Sequence, residues 1–177
     1  MQIQIRPEQS NDFPIIFQVV KDAFAEMPFS NQSEHFLVEK LRKTDAYIPE
    51  LALVAELEGK IVGYIILTII HIDNGEKLIN GLSLGPVAVI PALHGQGIGS
   101  QLIREVHKRA KSLGHEIVIL LGHKDYYPRF GYEKMNKYGI KLPFDSHEDN
   151  CMVLGLTVHA LEGVSGDVIY SKPFLEG

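Results

Sequence analysis

The feature that most constrains this chain is an apolar strand that runs into a glycine-rich turn and then a helix. Leu84-Gly85-Pro86-Val87-Ala88-Val89-Ile90 is followed by His94-Gly95-Gln96-Gly97-Ile98-Gly99. Beyond the glycines, Leu102, Ile103, Val106 and Ala110 recur at helical spacing, and Gly114 supplies a stop signal. The pattern predicts a helix from about Gly97 toward Gly114. A turn of this kind bares backbone N–H groups where the helix dipole adds partial positive charge, and its glycines let an anion approach without a Cβ in the way. The stretch from Gly95 to Ser100 is therefore a candidate diphosphate site.

The elements around it are equally short-range in their signals. Gln2-Ile3-Gln4-Ile5-Arg6 alternates as a strand does. Ser10, Asn11 and Asp12 are candidate caps before a helix whose face carries Ile15, Ile16, Val19, Val20, Ala23 and Phe24. Ser33 caps a second helix, expected to carry Phe36, Leu37 and Leu41 inward. Leu51–Leu57, the turn Glu58-Gly59 and Lys60–His71 predict a hairpin, and the turn from Asp73 to Glu76 leads to the strand near Leu82–Ile90. Glu116–Leu121 reads as a buried strand, residues 123–130 as a short helix, 132–136 as a strand, Tyr138–Asn150 as a loop and Cys151–Val158 as a strand. Val168-Ile169-Tyr170 adds a last extended piece. This order predicts an α/β or α+β domain with a mixed central sheet, and no linker or repeat divides residues 1–177 into further domains.

Composition narrows the function classes. The formal net charge of −5 argues against general nucleic-acid binding. Ile61–Ile70 contains Gly63 and Thr68 and is too short to span a bilayer, and Met1-Gln2-Ile3-Gln4 has no signal-peptide character. A single cysteine, Cys151, suits a reducing compartment, so the expected location is the cytoplasm and the expected state of Cys151 a buried, inert thiol. The eight histidines are scattered without metal-ligand spacing, so no metal is expected. Arg104, Lys108, Arg109 and Lys111 crowd the helix after the glycines, either as a solvated face or as help for an anionic ligand.

The glycine stretch resembles the cofactor motif of the GNAT superfamily of acetyl-CoA-dependent N-acetyltransferases, Gln/Arg-x-x-Gly-x-Gly/Ala. Gly97 and Gly99 match it, and His94 stands where the motif has Gln or Arg. Tyr126-Tyr127-Pro128-Arg129-Phe130-Gly131-Tyr132 is similar to the family's Tyr-x-x-x-Gly-Phe segment, with Tyr127 in the tyrosine position. The resemblance implies a mixed, mostly antiparallel sheet flanked by helices, in which the strands at 84–90 and 116–121 splay into a slot for the pantetheine of acetyl-CoA. It implies cofactor contacts from Val87, Ala88, Val89, His94, Gly95, Gln96, Gly97, Ile98, Gly99 and Ser100, those of His94 being mainly through its backbone. It also implies direct transfer of acetyl to a primary amine.

Acetyl transfer needs a deprotonated nitrogen and relief of charge on the leaving sulfur. The resemblance makes Tyr127 the general acid that protonates the developing thiolate, since a phenol of pKa about 10 can donate a proton there and be restored by solvent. No general base is evident: the strand Leu82–Ile90 holds no carboxylate, and Glu26, Glu34 and Asp73 read more simply as surface groups. The acceptor is an amine of a small molecule or a protein. The last strand is a candidate for pairing in a homodimer. A longer acyl-CoA as donor and a non-catalytic acyl-CoA-binding module are the alternatives, and the second has no need of Tyr127.

Overall fold

The computed structural model describes residues 1–176. Along the chain it holds β1 (Ile3–Pro7), α1 (Phe13–Phe24), α2 (Glu34–Leu41), β2 (Tyr47–Leu57), β3 (Lys60–Asp73) and β4 (Leu78–Val89). There follow α3 (Ile98–Ser112), β5 (Ile117–Leu121), β6 (Glu133–Lys134), β7 (Ile140–Lys141), β8 (Cys151–Gly155) and β9 (Gly166–Ile169). The described residues form two compact units, one of residues 1–67 and 85–109 and the other of residues 68–84 and 110–176.

In the first unit β1 pairs antiparallel with β2, from Ile3↔Leu57 to Pro7↔Leu53. β2 turns into β3 at Glu58 and Gly59, both at positive φ (51° and 78°), the geometry a two-residue hairpin needs to match strand twist. Leu51 to Ala55 of β2 are all fully buried. α1 buries Ile16, Val19, Val20 and Ala23 on one stripe, while Ile15 of the expected face stays half exposed. α2 differs from expectation. Its buried positions are His35, Val38 and Leu41, and Phe36 is half exposed. The Phe17 ring of α1 meets both neighbours edge-on, His35 with centroids 4.7 Å apart and Phe36 with centroids 5.5 Å apart, and it is His35 that shares the buried stripe with Val38 and Leu41.

A charged cluster ties this unit together. Arg42 clasps Glu8 through Nε (3.0 Å) and Nη2 (2.7 Å), and the hydroxyls of Tyr47 (2.8 Å) and Tyr64 (3.3 Å) donate to the same carboxylate. The Glu8 side chain is 1% exposed. A carboxylate so deeply buried is tolerable only because its lone pairs are filled. Gly63 of β3 is needed for close approach: a Cβ there would lie 3.1 Å from Leu102 Cδ1 of α3 and 3.2 Å from the Ala88 carbonyl.

In the second unit β4 and β5 pair in parallel at Leu82↔Val118 and Ser83↔Ile119. β8 joins β5 antiparallel from Ile117↔Gly155 to Leu121↔Cys151, and β6 joins β8. β9 pairs antiparallel with β3 at His71↔Ile169 to Asp73↔Asp167, and β7 lies parallel to β9. The sheet is thus mixed and mostly antiparallel, as expected. One of its faces carries Ile70, Ile72, Ile117, Ile119, Val153, Val168 and Tyr170 in one apolar cluster, completed by Met135, Ile140, Ala160 and Val164. The segment expected as a loop over 138–150 contains β7, and the strand expected to reach Val158 ends at Gly155, where the chain turns. The helix expected over 123–130 is a single 3-10 turn, Tyr127–Phe130.

Candidate active site

The glycine stretch lies wholly in the first unit. β4 ends at Val89, Ile90 N–H still donates to Val62 O (2.9 Å), and Pro91–Leu93 make a 3-10 turn. The His94 ring then folds back, its Nε2 2.7 Å from the Val89 carbonyl. That bond requires the proton on Nε2, and it staples the start of the loop to the end of the strand. The His94 side chain therefore serves the loop's shape.

Gly95 and Gly97 both adopt left-handed backbone (φ 79° and 83°). A Cβ added at either would meet no atom within 4 Å. The side of the loop where side chains would otherwise stand is therefore open to a ligand. The Gly97 carbonyl accepts from Gln101 N–H (3.1 Å), which makes Gly97 the residue from which α3 starts. The N–H groups of Ile98 and Gly99 fall in the first turn, where an α-helix offers them no carbonyl of its own. Open glycine backbone, first-turn donors and the positive end of a fifteen-residue helix are thus brought together at one point, an arrangement whose electrostatics favour an anion. Ile98 itself is buried and anchors the helix start, while His94, Gly95, Gln96 and Gly97 are exposed. Upstream, Ala88 is buried and Val87 and Val89 are half-buried.

Tyr127 belongs to the second unit. It opens the 3-10 turn that ends at Gly131, whose φ of 97° closes the segment. The Tyr127 ring packs edge-on against Tyr126 (5.1 Å, 83°) and Tyr132 (5.8 Å, 77°). Burial, and then the nearby Tyr126, push its phenol up to about 12. The hydroxyl is thus fully protonated at neutral pH, the state a proton donor must hold. Gly122, directly after β5, positions this ring: a Cβ on Gly122 would sit 2.5 Å from Tyr127 Cε2. Sequence reading passed over Gly122, whose only signal is a glycine closing an apolar strand.

Other candidates resolve into local roles. Arg129 donates from Nε to the Tyr126 carbonyl (2.9 Å), with its guanidinium 4.5 Å above the Tyr126 ring. Asp73 accepts from Gly75 N–H (2.9 Å) and shapes its own turn. Ser30 Oγ donates to Glu34, and Arg109 pairs with Glu105 at 2.9 Å one helical turn away. Cys151 is half-buried rather than buried, with its sulfur 3.2 Å from Ser146 Oγ. Among the described residues no three His, Cys, Asp or Glu side chains are grouped to hold a metal ion, and no helix is long and apolar enough to cross a membrane.

With this geometry in place, comparison with known proteins is decisive. The family model of the acetyltransferase (GNAT) domain matches residues 49–134, from β2 through the glycine loop and Tyr127 to β6. A crystal structure of a GNAT family acetyltransferase from Brucella melitensis in complex with acetyl-CoA superposes with a TM-score of 0.81 at 33% identity, over 98% of each chain. The chain belongs to the GNAT acetyltransferase family. The GNAT N-acetyltransferase YhbS of Escherichia coli, whose crystal structure is in complex with CoA, superposes with a TM-score of 0.88 at 28% identity, over 99% of this chain and 93% of that one. The Escherichia coli uncharacterized N-acetyltransferase YjhQ is 37% identical over 105 residues, which span 59% of this chain and 58% of YjhQ. Within this GNAT chain, α1 and α2 lie outside the residues that the family model matches.

Proposed function

We propose that this GNAT protein transfers an acetyl group from acetyl-CoA to a primary amine, directly and within a ternary complex. The observation that carries the reading is the pair of left-handed glycines, Gly95 and Gly97, whose open side faces no protein atom at the start of α3. The family relation and the acetyl-CoA complex of the Brucella melitensis relative agree with it. In this reading backbone N–H groups from Gly95 to Ser100 receive the diphosphate, with Gln96, Ile98 and Gly99 contributing main chain only. The main chain of Val87, Ala88 and Val89 pairs with the pantetheine as one more strand would. The nitrogen of the bound neutral amine attacks the thioester carbonyl and gives up its surplus proton to solvent, the carbon–sulfur bond breaks, and the Tyr127 hydroxyl gives its proton to the departing thiolate. Solvent then restores the phenol. The acceptor is the free amine of a small molecule or of a protein, and the protein works in the cytoplasm without a metal.

The test is a panel of polyamines, amino acids, aminoglycosides and a lysine peptide with acetyl-CoA, read by release of free thiol. Tyr127→Phe then removes one oxygen. Acetyl-CoA affinity by calorimetry should stay near wild type while kcat falls about 10²-fold or more, the range for loss of a positioned acid. Wild-type turnover in the variant would refute the role of Tyr127, and absence of acetyl-CoA binding at millimolar concentration would refute the reading as a whole.

A further inference from the structure

The chain that carries Tyr127 is held in place from outside itself. β5 and β6 lie on either side of β8 and both run antiparallel to it, so residues 122–132 cross over β8 to join them. A Cβ on Gly131 would lie 3.1 Å from Leu154 Cδ1, which puts the crossing against one face of that strand. Inside the connection, Tyr126 N–H donates to His123 O (3.1 Å) and Gly131 N–H to Pro128 O (3.0 Å). Bonds of such short reach fix local shape and leave the placement of the segment to its ends.

Both ends are fastened to the residues that lead into β8. Glu148–Asn150 form a 3-10 turn capped by His147, whose Nδ1 accepts from Asp149 N–H (3.2 Å). On the upstream side, Gly122 N–H donates to Asn150 O (2.9 Å). On the downstream side, Lys134 Nζ meets Asp149 Oδ1 at 2.6 Å, and Asn136 Nδ2 donates to Glu148 Oε2 at 3.0 Å. Successive residues of one turn thus take one group each from the flanks of the Tyr127 segment, and all of them belong to the second unit. Asp149 is half-buried, whereas Glu148 is exposed. The bond from Lys134, with smaller help from His147 and Lys124, holds the Asp149 carboxyl below its ordinary range, so it is ionised at neutral pH. Lys124 follows Gly122 by two residues and Lys134 follows Tyr132 by two, so this one carboxylate draws on cations from both flanks. An ion pair with one exposed partner adds little to stability, because water solvates its charges almost as well. What it fixes here is position.

We propose that Asp149, paired with Lys134, is a positioning residue that holds the Tyr127 turn where its phenol can donate a proton. The role rests on the reading of Tyr127 as the acid of acetyl transfer. The Tyr127 hydroxyl gives its proton to the thiolate, and Asp149 sets where that hydroxyl stands when it does so. A misplacement of about 1 Å costs up to about 10²-fold in rate, so a loosened turn is visible in kcat even when the fold is intact.

Two measurements on the full chain decide it. In thiol release with the most active amine of the panel, Asp149→Ala and Lys134→Met should each lower kcat about tenfold, with acetyl-CoA affinity within about twofold of wild type and Tm within about 4 °C. The double variant should be no slower than the slower single one, because the same bond is lost in all three. In a Tyr127→Phe background, Asp149→Ala should change kcat by less than about twofold. A further tenfold loss there would show that Asp149 acts elsewhere and would overturn the proposal. The second measurement is NMR of isotope-labelled tyrosine rings, which needs no acceptor. The Tyr127 signals, identified by their absence from Tyr127→Phe, should shift or broaden in Asp149→Ala and Lys134→Met. Unmoved signals would overturn the proposal whatever the rates. Wild-type turnover in Tyr127→Phe would instead overturn the acid reading, and the role of Asp149 in the rate with it, even where the ring moves.

Discussion

Gly97→Ala separates folding from binding at the glycine loop. In the protein alone, the added methyl meets nothing within 4 Å, so its cost comes only from holding an L-residue at φ 83°. That cost is about 1–2 kcal/mol, and in a chain of this length it lowers Tm by about 2–8 °C. The cost to a bound diphosphate is separate. A methyl carbon keeps an oxygen about 3.5 Å away, whereas charge-assisted N–H···O bonds need about 2.8 Å, so the anion is held off the backbone donors. Losing two such bonds at about 1.5 kcal/mol each amounts to about 3 kcal/mol, or about 100-fold in acetyl-CoA affinity. Gly75→Ala is the control. Gly75 also has left-handed backbone (φ 90°) with no atom within 4 Å of a built Cβ, and it lies in the turn after β3. Calorimetric titration with acetyl-CoA should find Gly75→Ala near wild type and Gly97→Ala about two orders of magnitude weaker, with similar losses of Tm. Equal affinities for the two variants would show that no phosphate lies against Gly97.

Three further outcomes follow from contacts elsewhere. Gly122→Ala drives a methyl to 2.5 Å from Tyr127 Cε2, so the ring must move; kcat for thiol release should fall about 10- to 100-fold, with acetyl-CoA affinity unchanged in calorimetry. Arg42→Met strips the bidentate partner from the buried Glu8 carboxylate and should cost about 3–5 kcal/mol in urea unfolding; adding Glu8→Gln, which keeps an acceptor for Tyr47 and Tyr64, should recover much of the loss. Burial lowers His107 from its ordinary 6.5 to about 4, so the unfolded chain takes up the proton first as pH falls. Stability should therefore decline between pH 6.5 and about 4, by at most about 3 kcal/mol from this residue, and be flat in this contribution above and below; in His107→Gln the same pH scan of urea midpoints should be shallower.

Much of this protein is legible in its sequence because the deciding interactions are local. The Glu58-Gly59 hairpin follows from two adjacent residues that accept positive φ. The inward stripe of α3, from Ile98 through Leu102, Ile103 and Val106, follows from helical period alone. Gly95 and Gly97 were identifiable because a strand, a glycine turn and a helix start are contiguous in the chain, and Tyr127 because it stands four residues before Gly131. Pairings between distant residues have no such signature. Whether His35 or Phe36 shares the buried stripe with Val38 and Leu41 depends on how α2 packs against α1, a helix distant in local pattern. The clasp of Arg42 on Glu8 joins residues 34 positions apart, which local patterning treats as unrelated. Gly122 looks like an ordinary end of a strand until the Tyr127 ring is seen lying against it. Periodicity and turn chemistry report what a residue does to its own backbone; which side chain completes a buried polar group depends on how the strands and helices pack, and only the folded chain brings those partners within a few ångströms.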